Sequence, residues 1–150
     1  MIKKIFKRTM VLIAVIVFIG TVNILAADNN HITVYVNDSI LDSDVNAQII
    51  NSRTMVPMRA IFEALGAEVN WNEANQTAVG TKDGVTVSLT IGSGTMYVGD
   101  STVKLDSLPV IVSDRTLIPV RAVSEAFGFE VNWNEPTKSA YIGSHNGLTV

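Results

Sequence analysis

The 150-residue chain has no cysteine, only two histidines, His31 and His145, and four prolines. The missing thiols rule out a disulfide framework, a thiolate nucleophile and any cysteine metal site, so burial alone must hold the fold together. Both imidazoles sit in polar terminal or turn segments, too few for a three-imidazole metal centre. Serines such as Ser52, Ser113 and Ser124 lack a motif that places them beside a histidine and an acid, and no glycine-rich phosphate loop is present. The expectation is no catalytic residues, no cofactor and no metal. Basic charge is equally scarce. Of 11 Lys and Arg, four lie within the first eight residues, and the other seven are scattered among 14 acidic residues. Nucleic acid and anionic lipid are therefore poor partners, because the phosphate term needs clustered cations. Long apolar runs are confined to the N-terminus.

That N-terminus reads as a secretory signal. Lys3, Lys4, Lys7 and Arg8 precede an apolar run from Met10 to Ile19, and cleavage after Ala27 would leave Leu25-Ala26-Ala27 at the site. Cleavage after Ala26 is the near alternative, and an uncleaved anchor is another, although the run is short of the ~20 residues of a comfortable span. Removal of residues 1–27 leaves 123 residues with seven basic and 14 acidic side chains, a net charge of −7. That length suffices for one core with no stable membrane span. The mean hydropathy of +0.31 is raised by the leader.

What the chain does have is a repeat. Arg53 to Glu73, RTMVPMRAIFEALGAEVNWNE, returns 62 residues later as RTLIPVRAVSEAFGFEVNWNE from Arg115 to Glu135, with 14 of 21 positions identical. Val34-Tyr35-Val36-Asn37-Asp38-Ser39 falls at the same offset on Met96-Tyr97-Val98-Gly99-Asp100-Ser101. The segments run over about 32–91 and 94–150, within one domain at 28–150, since no linker separates them. Two copies are too few for a solenoid and suggest half-units around one core. Ile32 to Val36 alternates as a strand, and extended pieces follow around a Ser52-Arg53 corner. Pro57 suits a helix's first turn; Met58, Ile61, Phe62 and Leu65 form its apolar stripe, and Gly66 stops it. Pro119, Val120, Val123, Phe127 and Gly128 repeat the design. Val69 and Trp71 then share a strand face before a four-residue turn. The expected class is α+β, with short antiparallel strands and one short helix per repeat.

The doubled pattern R-T-x-[VI]-P-x-R-A-x-x-E-A-x-G-x-E-V-N-W-N, preceded by a Val-Tyr-Val-Asn-Asp strand, resembles the copper amine oxidase N-terminal-like, or stalk, domain. The resemblance covers about residues 32–150. It implies a non-catalytic module, found in exported and cell-envelope proteins of Gram-positive bacteria, with copper and quinone belonging to a different domain. A secreted or envelope-associated stalk, spacer or interaction domain is the resulting expectation. Its partner would be a protein or a cell-wall polymer, and a homodimer through strand edges is plausible.

Several repeated residues have two readings. Arg59 and Glu63, like Arg121 and Glu125, stand at i and i+4 and can pair on one helix face. Arg53 and Arg115 can bind nearby carbonyls or stack on an indole. Together with Pro57, Pro119, Gly66 and Gly128 they read as a structural motif, the other reading being an anion clamp. Trp71 and Trp133, with Asn72 and Asn134 beside them, form a candidate ligand surface: indoles stack on sugar rings and amides bond hydroxyls. Their phase with Val69 and Val131 points the other way, toward the core. Asp42-Ser43-Asp44 with Asp38 supplies alternating oxygens, but lacks the midway glycine and terminal acid of a calcium loop, so a solvated turn is expected.

Overall fold

The computed structural model describes residues 31–144, so the leader, His145 and the last residues lie outside the described part. The first segment contains β1 (Thr33–Val36), β2 (Ser39–Ile40), β3 (Gln48–Ile50), β4 (Arg53–Pro57), α1 (Met58–Ala64), β5 (Glu68–Asn72), β6 (Thr77–Lys82) and β7 (Val85–Thr90). The second contains β8 (Thr95–Val98), β9 (Ser101–Lys104), β10 (Val110–Val112), β11 (Arg115–Pro119), α2 (Val120–Ala126), β12 (Phe129–Asn134) and β13 (Ser139–Ser144). Among the described residues strand makes up 53% and helix 12%, which overturns the α+β expectation: this part is β-rich, with three sheets and two helices. Each helix is only seven residues long. Stretches without a clean alternation, such as the fully exposed β9, are strands because a neighbour pairs with them.

Tight turns direct the chain. Asn37 and Asp38 (φ 46° and 65°), Asn51 and Ser52 (50° and 60°), Asp83 and Gly84 (49° and 78°), and Ser113 and Asp114 (49° and 59°) each supply two left-handed residues. Such pairs match the twist of the strands they join, and Asn, Asp and Gly tolerate them best. The corner before β4 is therefore Asn51-Ser52, with Arg53 already in the strand. Pro57 likewise ends β4 opposite Leu117 and stands just outside α1, rather than in its first turn.

The sheets mix the two segments. The central one has the order β10-β11-β4-β3, all antiparallel, and Val56 faces Ile118 while Met55 faces Pro119 and Leu117 faces Pro57. Strands 62 residues apart thus pair with each other reciprocally. The second sheet is the meander β5-β6-β7-β8-β9, so the β8–β9 hairpin of the second segment completes the sheet of the first. The third, β12-β13-β1-β2, does the converse, with β1 laid parallel on β13 and Tyr35 stacked on Tyr141, their centroids 4.8 Å apart. Where β7 lies between β6 and β8, β1 contacts β13 directly. One apolar cluster runs through all of this, from Ile32, Val34, Phe62 and Leu89 to Ile118, Val123 and Ile142.

Candidate functional site

The central sheet aligns the ends of β4 and β11 with residues from the opposite segment. Arg53, at the start of β4, donates from Nε and Nη2 to Asp106 at 3.2 and 2.7 Å, and from Nη1 to the Ser52 carbonyl at 3.1 Å. Arg115, at the start of β11, donates from Nε at 3.2 Å and from Nη2 to the Asp44 carboxylate, and from Nη1 to the Asp114 carbonyl at 3.2 Å. Asp44 and Asp106 are 62 residues apart, as are the two arginines, so each segment supplies the acid for the other's guanidinium. The fork geometry of arginine suits such a planar pair. Arg115 holds the Asp44 carboxyl below the usual carboxylate range, and Asp44 raises the Arg115 guanidinium in turn.

Beside each pair lies a tryptophan. Trp71 and Trp133 are half-buried against the core, and their indole N–H groups donate to Glu73 at 2.5 Å and Glu135 at 2.6 Å. Lys138 is bonded to Glu135 as well, and these two donors, the lysine first, depress the Glu135 carboxyl. Asn72 and Asn134 are the last residues of β5 and β12, directly before the turns. The Asn72 side-chain carbonyl accepts from Ala74 N–H at 3.0 Å and Asn75 N–H at 3.3 Å, and that of Asn134 from Thr137 N–H at 3.2 Å. Those oxygens hold the turn, as Asx side chains commonly do.

Two grooves result. One, of about 610 Å³, is lined by Trp71, Glu73, Asp44, Arg115, Thr116 and Ile111, with Pro57 to Arg59 at the helix start. The other, of about 640 Å³, is lined by Trp133, Glu135, Asp106, Arg53, Thr54 and Ile49, with Pro119 to Arg121. Each residue named in one has its 62-residue equivalent in the other. Ile49 and Ile111 are 49% and 46% exposed, so a large apolar side chain lies open to solvent in both grooves.

The remaining motif residues are structural in their contacts. Arg59 lies 3.7 Å from Glu63 and Arg121 3.4 Å from Glu125, all well exposed, and Arg121 also donates to the Val131 carbonyl at 2.8 Å. Gly66 and Gly128 have φ of 81° and 84° directly after the helices. Sequence reasoning missed Asp44 and Asp106 as arginine partners, although their shared offset was visible, and it missed Glu73, Glu135 and the isoleucines. Among the serines, Ser52 and Ser113 are turn residues and Ser124 is buried in α2. Among the described residues no three His, Asp or Glu side chains cluster as metal ligands, and Asp44 is engaged by Arg115.

No curated protein matches the chain. The family model for the copper amine oxidase N-terminal domain matches residues 35–142 in one stretch, from Tyr35 in β1 to Ile142 in β13, across both repeated segments. In copper amine oxidases that N-terminal domain is a non-catalytic module. The chain belongs to the copper amine oxidase N-terminal domain family.

Proposed function

We propose that the protein is an exported, non-catalytic module of the cell envelope or extracellular space, acting as a stalk, spacer or interaction domain. One observation supports this most. The repeated Arg, Asp, Glu and Trp side chains are bonded to one another in equivalent pairs, Arg53 with Asp106, Arg115 with Asp44, Trp71 with Glu73 and Trp133 with Glu135, so the motif is engaged within the chain itself. Export rests on the basic and apolar leader, and sequencing the N-terminus of protein recovered outside the cell tests it: a start at Asp28 or Ala27 supports it, and retention of Met1 counts against it. We further read the two segments as copies of one ancestral unit, on the strength of their shared offset in sequence and bonding.

A second reading is favoured by the grooves. Each presents a half-buried indole beside hydroxyl, carboxylate and guanidinium groups, a combination suited to a glycan or peptidoglycan strand. Co-sedimentation of the purified protein with cell wall, with tryptophan fluorescence read in parallel, separates the two. Saturable binding lost in folded Trp71→Ala and Trp133→Ala variants supports the glycan reading. Absence of both signals leaves a protein-facing stalk. A homodimer through the exposed edge strand β9 belongs to the same proposal, and light scattering after size exclusion decides it.

A further inference from the structure

We propose that the protein is bivalent: each groove takes one segment of an uncharged glycan, with Trp71 the platform in one and Trp133 in the other. This rests on the glycan reading above and deepens it. The two grooves share a half-buried tryptophan, a threonine on the central sheet, an exposed isoleucine and an Arg–Asp pair. An indole plane and short hydroxyl or charged groups around it are what a pyranose needs, one apolar face and a rim of hydroxyls.

What the grooves do not share is charge. The first is lined by five acidic and two basic side chains, the second by two acidic and three basic. A charged ligand would therefore enter one groove far better than the other, whereas a neutral one is admitted by the features common to both. Both grooves also require both segments, because Asp44 meets Arg115 and Asp106 meets Arg53 across the molecule. Two like grooves built on one shared core are suited to bridging two glycan strands, or two stretches of one, with gain through effective concentration.

The two tryptophans give a separate reporter for each groove. The ¹⁵N-labelled protein in its processed form is titrated with soluble oligomers of N-acetylglucosamine and of glucose, and the two indole N–H resonances are followed. Both should move saturably with at least one oligomer. Ile111→Glu, at an exposed position, should weaken the Trp71 response at least about tenfold and leave the Trp133 response intact, with Ile49→Glu doing the reverse. Movement of one indole alone, or loss of both responses through either single substitution, overturns bivalency and leaves a one-site glycan binder. No movement of either indole with either oligomer overturns both.

Discussion

At the scale of residues, the two segments solve one packing problem differently. Phe62 of α1 is fully buried against Gly80 of β6, where an added Cβ would lie 3.0 Å from the ring. At the equivalent positions stand Ser124 and Ile142, a small residue on the helix and a large one on the strand. Gly80→Ala should destabilise by about 1–3 kcal/mol through overpacking. Phe62→Ser with Gly80→Ile, which imports the other segment's pair, should cost less than the two single changes together, as a double-mutant cycle in denaturant would read. Ser124 Oγ is buried with no hydrogen-bond partner among the described residues, so Ser124→Ala should be neutral or stabilising by up to about 1 kcal/mol in thermal melts. Acid sensitivity belongs here too. The folded-state pKa values of Asp44 and Glu135 lie below their ordinary 3.8 and 4.5, so their stabilising effect is present above those values and is lost as pH falls through the lowered ones. Both groups are well exposed, so the effect is small and screened by salt. Asp44→Asn should flatten the acid limb of a stability–pH curve, and an unchanged limb would exclude its pairing with Arg115 as a cause.

At the scale of elements, short helices depend on how they end. After α1 the Gly66 N–H donates to the Glu63 carbonyl at 3.0 Å and the Ala67 N–H to the Phe62 carbonyl at 2.9 Å, the double closure that a left-handed residue permits. Gly66→Ala should cost about 1 kcal/mol by placing a Cβ at φ 81°, measurable as a lower midpoint in urea. These features were legible in the sequence because they are local. The stripe of Met58, Ile61, Phe62 and Leu65 is buried, and Gly66 ends the helix where the sequence indicates. The class was misjudged because the repeat centres on the helix, while short edge strands such as β2 and β9 are wholly exposed and carry no buried alternation to announce them.

At the scale of the whole molecule, the halves are interleaved. Each segment's first hairpin completes the other's sheet, and one apolar cluster spans both. Unfolding should therefore be a single transition, with calorimetric and van't Hoff enthalpies equal. Ile61→Ala in the first segment and Ile118→Ala in the second, both fully buried, should each lower that one transition by about 2–5 kcal/mol. Two resolved transitions in either variant would mean that the halves fold separately. The candidate site belongs to this scale. Trp71 and Trp133 were visible as candidates from their residue type, but the grooves around them exist only because β11 and β4 bring Arg115 and Arg53 to acids of the opposite segment.

By itself the sequence determined the repeat, the helix stripes with their glycine stops and the inward phase of the tryptophans, since each depends on residues a few positions apart. Only the tertiary structure decided the reciprocal ion pairs, the parallel seat of β1 on β13 and the exchange of hairpins between sheets. The physical reason is that alternation in a strand encodes which face is buried and leaves the neighbouring strand unspecified. That neighbour is selected when two like segments close over a single core.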